Sequence, residues 1–145
     1  MQQIDSYLID DRNDELKVTV QPEQTIYSVA GRTLEAVFDV GSQGTLFLTT
    51  ENCPFEETLY ISLFDKDGHM RDSVTLFRAY TAGIVQSLQP LSDGSLLFTF
   101  WDKTELQLLV GSDTAPSTWK KLLAAEGIHY EKRFTTSALN ILIRE

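Results

Sequence analysis

The sequence predicts a mainly β fold: an antiparallel two-sheet β-sandwich, or partly open barrel, of about nine or ten strands with one α-helix near residues 116-126. Three observations lead there. Apolar and polar residues alternate with period two along much of the chain, which sends one set of side chains to a buried sheet face and the other to solvent. Glycines beside Asp punctuate the alternating runs and supply the positive φ that tight hairpins demand. Only one stretch spaces its apolar residues by three and four, as a helix face requires.

Leu16-Lys17-Val18-Thr19-Val20 is the first alternating run. Leu34, Ala36, Phe38 and Val40 alternate with Glu35, Val37 and Asp39, and Gly41-Ser42-Gln43-Gly44 separates that strand from the next. Leu59, Ile61 and Leu63 alternate with Tyr60, Ser62 and Phe64, a run apolar enough to be covered on both faces. Asp67-Gly68 turns it into Val74-Thr75-Leu76-Phe77. Asp93-Gly94 joins a strand from Ile84 to Leu88 with one from Leu96 to Trp101, and Asp102-Lys103 leads into Leu106-Gln107-Leu108-Leu109-Val110. The middle of the chain therefore reads as a meander of hairpins.

In the helical stretch Pro116 suits the first turn, Thr114 or Ser117 can cap, Trp119, Leu122 and Leu123 share a face, and Gly127 is the natural stop. Beyond it, His129 to Phe134 and Leu139 to Ile143 read as a closing hairpin around Thr136-Ser137, with a short terminal helix over 138-144 as the alternative.

Residues 1-145 are expected to form a single domain, since a chain of 145 residues buries roughly two-thirds of its unfolded surface around one core. Its hydrophobic content of 42% is enough to offset the ordering entropy, so a folded state is expected. The start Met1-Gln2-Gln3-Ile4-Asp5 has no basic segment followed by an apolar run, and no apolar stretch approaches the ~18 residues of a membrane span. One cysteine cannot form an internal disulfide. The expected compartment is the cytoplasm, with no membrane contact. A net charge of −9, from 21 acidic against 12 basic residues, repels phosphate backbones and attracts basic surfaces, so no direct nucleic-acid contact is expected.

Catalytic signatures are missing. His69 and His129 follow turns, lack the spacing of paired metal ligands and have no cysteine neighbours, so they read as solvated loop residues. Cys53 lies in the acid-rich loop Glu51-Asn52-Cys53-Pro54-Phe55-Glu56-Glu57, outside any reactive-cysteine motif, and reads as a buried or half-buried thiol. Gly41-Ser42-Gln43-Gly44 has the wrong spacing for a nucleophile elbow. Asp65-Lys66-Asp67-Gly68 faintly resembles a calcium loop, but Leu63 stands where its first ligand would be, and the segment reads as a hairpin turn. No phosphate-binding loop is present. Neither a cofactor nor a metal is expected, and the chain reads as a binding protein, not an enzyme.

What remains is surface recognition. Acids recur at turns and strand ends: Asp10, Asp11, Asp14 and Glu15; Glu51, Glu56 and Glu57; Asp65, Asp67 and Asp72; Asp93, Asp102 and Glu105. Phe55, Tyr60, Tyr80 and Trp101 lie among them, and an aromatic anchor inside an acidic rim suits a basic protein partner.

In size, acidity, the β-rich layout of Gly83 to Val110 and the single helix of Pro116 to Gly127, the chain resembles the immunity proteins of bacterial contact-dependent growth-inhibition systems, particularly those paired with nuclease toxins. The likeness is one of overall character, and no functional residue is carried over from that family. It implies a cytoplasmic inhibitor that binds one cognate basic toxin domain and blocks its active site or substrate surface. The expected contacts are Asp65, Asp67 and Asp72 around the first hairpin and Asp93, Trp101, Asp102 and Glu105 around the second. Two other classes stand beside it: an acidic secretion chaperone, and a small-ligand-binding β-protein or enzyme with Phe98, Phe100 and Trp101 lining a pocket.

Overall fold

In a computed structural model of the protein, the described residues are 1-111, 126-131 and 138-144. In chain order their strands are β1 (Gln2–Gln3), β2 (Tyr7–Asp10), β3 (Leu16–Val20), β4 (Thr25–Val29), β5 (Thr33–Asp39), β6 (Thr45–Thr50), β7 (Thr58–Phe64), β8 (Met70–Phe77), β9 (Gln86–Pro90), β10 (Leu96–Thr99), β11 (Glu105–Val110), β12 (Ile128–Tyr130) and β13 (Leu139–Arg144). They form three antiparallel sheets: a central one in the order β1-β5-β6-β7-β8-β12, a second in the order β13-β11-β10-β9 and a third in the order β2-β3-β4.

The central sheet is covered on both faces, and its sequence explains why. Along β6 every residue is buried. Leu46 and Leu48 pack with Ala36, Phe38, Ile61, Leu63 and Leu76 against Leu96, Phe98, Leu106, Leu108 and Ile141 of the second sheet. Phe47 points the other way, with Val37 and Phe64, against Leu16, Val18, Tyr27 and Val29 of the third sheet. Period two thus divides one strand between two cores. In the smaller core the rings of Tyr27, Phe47 and Phe64 meet at centroid distances of 4.9 to 5.4 Å in tilted and edge-on contacts. Such pairs add about 0.5–1.5 kcal/mol each beyond the apolar area they bury. As the alternation predicts, the second half of β7, Ile61 to Phe64, is buried on both sides.

The mainly β, antiparallel reading agrees with this architecture, and four finer expectations change. Two sheets become three, and about nine or ten strands become thirteen among the described residues, because β1, β2 and β4 are added. The pattern hides β2 and β4: in each, apolar residues stand on both faces, Leu8 and Ile9 in one and Ile26 and Tyr27 in the other. The described parts of the expected closing hairpin do not pair with each other, since β12 pairs with β8 in the central sheet whereas β13 pairs with β11 in the second; its turn at Thr136-Ser137 lies outside the described residues. Residues 139–144 are a strand and not a terminal helix. The helix expected near 116-126 falls outside the described residues except for Glu126, which sits in the turn before β12.

Two buried side chains fasten the central and second sheets at their shared edge. The Asp72 carboxylate on β8 accepts the N–H of Leu139, and the Tyr130 hydroxyl on β12 accepts the N–H of Ile141 at 3.0 Å. Burial holds the Tyr130 hydroxyl above the usual tyrosine range.

Candidate functional site

The seven residues expected at a partner contact divide by position. Asp65 and Asp67 lie in the β7–β8 turn at one end of the central sheet, next to the Gly41 to Gly44 turn, where Lys66 pairs with Asp39 at 3.1 Å. Asp93 lies in the β9–β10 turn, and Asp102 and Glu105 lie at the opposite end of β10. The Asp72–Leu139 bond aligns the two sheets, so Asp93 shares an end with Asp65 while Asp102 and Glu105 share the other end with the β6–β7 loop. The set is therefore not one contiguous surface.

Two of the seven are buried, which removes them from direct contact with a partner. Asp72 is only 2% exposed and accepts the N–H groups of Ser73 and Leu139. Trp101 is also 2% exposed, lies beneath the Arg78 guanidinium at 3.9 Å, and has an indole N–H with no hydrogen-bond partner among the described residues. Others shape the turns they occupy. Asp65 accepts the N–H groups of Asp67 and His69, and the His69 N–H foremost holds its carboxyl below the ordinary range. Asp93 accepts the Ser95 hydroxyl at 2.6 Å and its N–H at 2.9 Å, with the same effect on its carboxyl. Asp102 holds the left-handed position of its turn, φ 49°, which Asp tolerates better than most residues. Asp65, Asp67 and His69 each bring one ligand atom within 4.8 Å of the others, yet the Asp65 carboxylate already serves the turn.

The end that carries Asp102 has more to offer. There the β6–β7 loop and the loop after β8 are joined: the Glu56 carboxylate accepts the N–H of Tyr80, and the Pro54 carbonyl accepts the N–H of Gly83 at 3.2 Å. Buried Glu57 fixes the first loop from beneath by accepting the N–H groups of Glu51, Cys53 and Thr58 at 2.8, 2.9 and 3.0 Å. Glu51 in turn accepts the Tyr60 hydroxyl at 2.7 Å and lies 3.6 Å from Arg32. Burial first, and then the Glu51 carboxylate, push the Tyr60 hydroxyl up to about 12. Cys53 in this loop is exposed, contrary to the buried or half-buried thiol expected of it.

On this braced frame stand Phe55, 88% exposed, and Tyr80, 95% exposed, with Ile84 at 58%. Tyr80 adopts φ 57°, a left-handed conformation that costs a bulky residue roughly 1–2 kcal/mol. Of the aromatics singled out in the sequence, these two face solvent, whereas Tyr60 is half-buried and Trp101 buried. Ile84 is not evident from the sequence because Ile84 to Leu88 reads as a strand, whereas β9 begins only at Gln86.

Beside the aromatic pair opens a cleft of about 570 Å³ between the loop after β8 and the β10–β11 turn, lined by Arg78, Thr81, Ile84, Gln86, Asp102 and Thr104 above the rings of Phe100 and Trp101. Gly83 rests on the Phe100 ring, where a Cβ would come within 2.6 Å of it. Phe98, expected with Phe100 and Trp101 as pocket lining, belongs to the core instead. No helix among the described residues is long and apolar enough to cross a membrane. Comparison of the chain with protein-family models, with curated proteins and with solved structures found no significant match.

Proposed function

We propose that this chain is an immunity-type inhibitor: a cytoplasmic protein that binds a cognate basic toxin domain, a nuclease foremost, and blocks its active site or substrate surface. The observation that carries this reading is the pair Phe55 and Tyr80, held out in solvent on two mutually bonded loops. Exposing two large rings on a rigid frame gains nothing for folding, but it spares a complex the cost of ordering its anchors. Acids surround the pair, with Glu51 and Glu56 on the first loop and Asp102 across the cleft. The net charge of −9 adds a long-range field that steers a basic partner and speeds encounter.

The test is capture from lysate of the native host with the tagged chain and with its Phe55→Ala/Tyr80→Ala variant, followed by a nuclease assay of the captured protein. A basic protein held at low salt, lost with the double variant and inhibited by the wild-type chain supports the reading. If no protein is retained, or if the variant retains it equally, the assignment fails. A small-ligand binder is the second reading, favoured by the cleft over Phe100 and Trp101, whose volume lies in the usual range for such sites.

A further inference from the structure

Sheet edges with unpaired backbone groups attract other chains, and proteins usually close them. Among the described residues most edges here are closed. β1 and β12 have only two and three residues. The edge of β9 carries a register break, Ser87 at φ 58° and Pro90. Asp72 and Tyr130 occupy the outer N–H groups of Leu139 and Ile141 on β13. The β7–β8 turn crosses the edge of β4, where a Cβ on Gly68 would lie 3.2 Å from the Ile26 carbonyl.

β2 has none of these devices. The Ser6 carbonyl accepts the N–H of Gln21, so by the alternation of an antiparallel ladder Ser6, Leu8 and Asp10 turn their backbone to β3 while Tyr7 and Ile9 turn theirs outward. The strand contains no proline, bulge or lysine, and its Leu8 and Ile9 side chains are 63% and 51% exposed.

We infer that β2 receives an extended segment of the protein partner as an added strand, with apolar residues covering Leu8 and Ile9 and Lys or Arg beside them; this rests on the reading of a basic protein partner given above. Charge selects the occupant. Five acids, Asp5, Asp10, Asp11, Asp14 and Glu15, stand in or beside the strand against three cations, Arg12, Lys17 and Arg32, which pair with Asp10, Glu15 and Asp14, so the edge keeps an excess of negative charge. A second copy of this chain fits poorly: the register that sets Leu8 on Leu8 and Ile9 on Tyr7 also sets Asp5 opposite Asp11, and like charges facing each other are unfavourable. Arg32 lies 3.9 Å from Asp14 in the β2–β3 loop and 3.6 Å from Glu51 on the Phe55 loop, so these two loops are neighbours.

The probe is a capped peptide with a central run of valines flanked by lysines, which places apolar side chains on both faces to meet Leu8 and Ile9, with the same peptide N-methylated at alternate residues as a control that keeps its charge and loses its strand donors. Peptide binding to the full chain should slow amide exchange at Tyr7 and Ile9, and the control should bind at least about tenfold more weakly. Ile9→Pro, which removes an N–H the fold does not use, should have the same effect; if it disturbs the circular dichroism, the Leu8→Lys/Ile9→Lys pair takes its place. Unchanged exchange at Tyr7 and Ile9, or equal binding of the control, overturns the inference. A concentration-dependent dimer that Ile9→Pro abolishes also overturns it, assigning the edge to a second copy. The peptide assay uses neither Phe55 nor Tyr80, so its failure is separable from failure of the proposed function, which those two residues report.

Discussion

The Asp72 carboxylate on β8 lies 3.0 Å from the main-chain nitrogen of Leu139 on β13, a hydrogen bond between two sheets made wholly within the interior. The same carboxylate accepts the Ser73 N–H at 2.9 Å. A buried acid is costly unless its lone pairs are used, and here they fix the corner where the central and second sheets meet.

Asp72→Ala should therefore destabilise the fold by about 1–3 kcal/mol, since it strands buried N–H donors without replacing the acceptor. Urea unfolding measures the loss, and amide exchange at Leu139 should accelerate more than at Leu48 in the centre of β6. Asp72→Asn keeps one acceptor oxygen but turns its NH2 toward the other N–H, because Ser73 and Leu139 use different oxygens, so it should restore only one of the two bonds. A stable Asp72→Ala variant with unchanged Leu139 exchange would show that the corner is held by other contacts.

Glycines 44 and 94 give a paired comparison. Both have positive φ, 122° and 86°, but a Cβ on Gly44 would lie 1.9 Å from the Phe64 carbonyl while one on Gly94 meets nothing within 4 Å. Gly94→Ala should cost only the left-handed penalty, roughly 1–2 kcal/mol. Gly44→Ala adds a clash with main chain that cannot move without disturbing β7, and its loss of stability should be clearly the larger. Thermal melts of the two variants side by side decide this.

The sequence was most legible where one face of a strand is wet or where both are plainly apolar, as in β5, β6 and β7, and where a glycine fixes a turn. It was least legible in the third sheet, whose strands β2 and β4 place Leu8 and Ile26 on the solvent side and so blur the period. The site was legible only in part for a related reason. Acids at turns suggest partner contacts, yet Asp65 and Asp93 fold their side chains back onto the turn backbone and Asp72 is interior. Local sequence does not reveal which carboxylates the backbone has claimed. For Phe55 and Tyr80 the composition of the loops sufficed to name them, but their exposure depends on a bond between segments 24 residues apart.

Tyr60 makes the alkaline behaviour of the Phe55 loop predictable. Its hydroxyl is raised from the ordinary 10.0 to about 12, by burial first and then by the Glu51 carboxylate. A group whose folded pKa lies above its unfolded value contributes stability fully below the unfolded pKa, and that contribution is lost as pH rises through the folded one. The relevant window is about pH 10 to 12, where the protein should lose stability that Tyr60→Phe does not lose. Ring-carbon NMR titration should find Tyr60 still mostly protonated at about pH 11, above the ordinary tyrosine value of 10.0. If Tyr60 titrates at the ordinary 10.0, its bond to Glu51 is not maintained.

The division of the acids between two ends separates steering from anchoring. Phe55 and Tyr80 are almost fully exposed, so replacing both by Ala should leave stability within about 0.5 kcal/mol. If they anchor the partner, each truncation should cost more than about 1 kcal/mol of binding, appearing mainly as faster dissociation. Asp65 and Asp67, at the other end of the central sheet, should behave differently. Asp65→Asn/Asp67→Asn keeps an acceptor for the turn and removes two negative charges, so association should slow modestly, with the difference vanishing as salt rises. Stopped-flow association and dissociation rates for both double variants, at low and high salt, distinguish the two roles. Faster dissociation in the Asp65/Asp67 variant at high salt would move the contact to the β7–β8 turn and away from the aromatic pair.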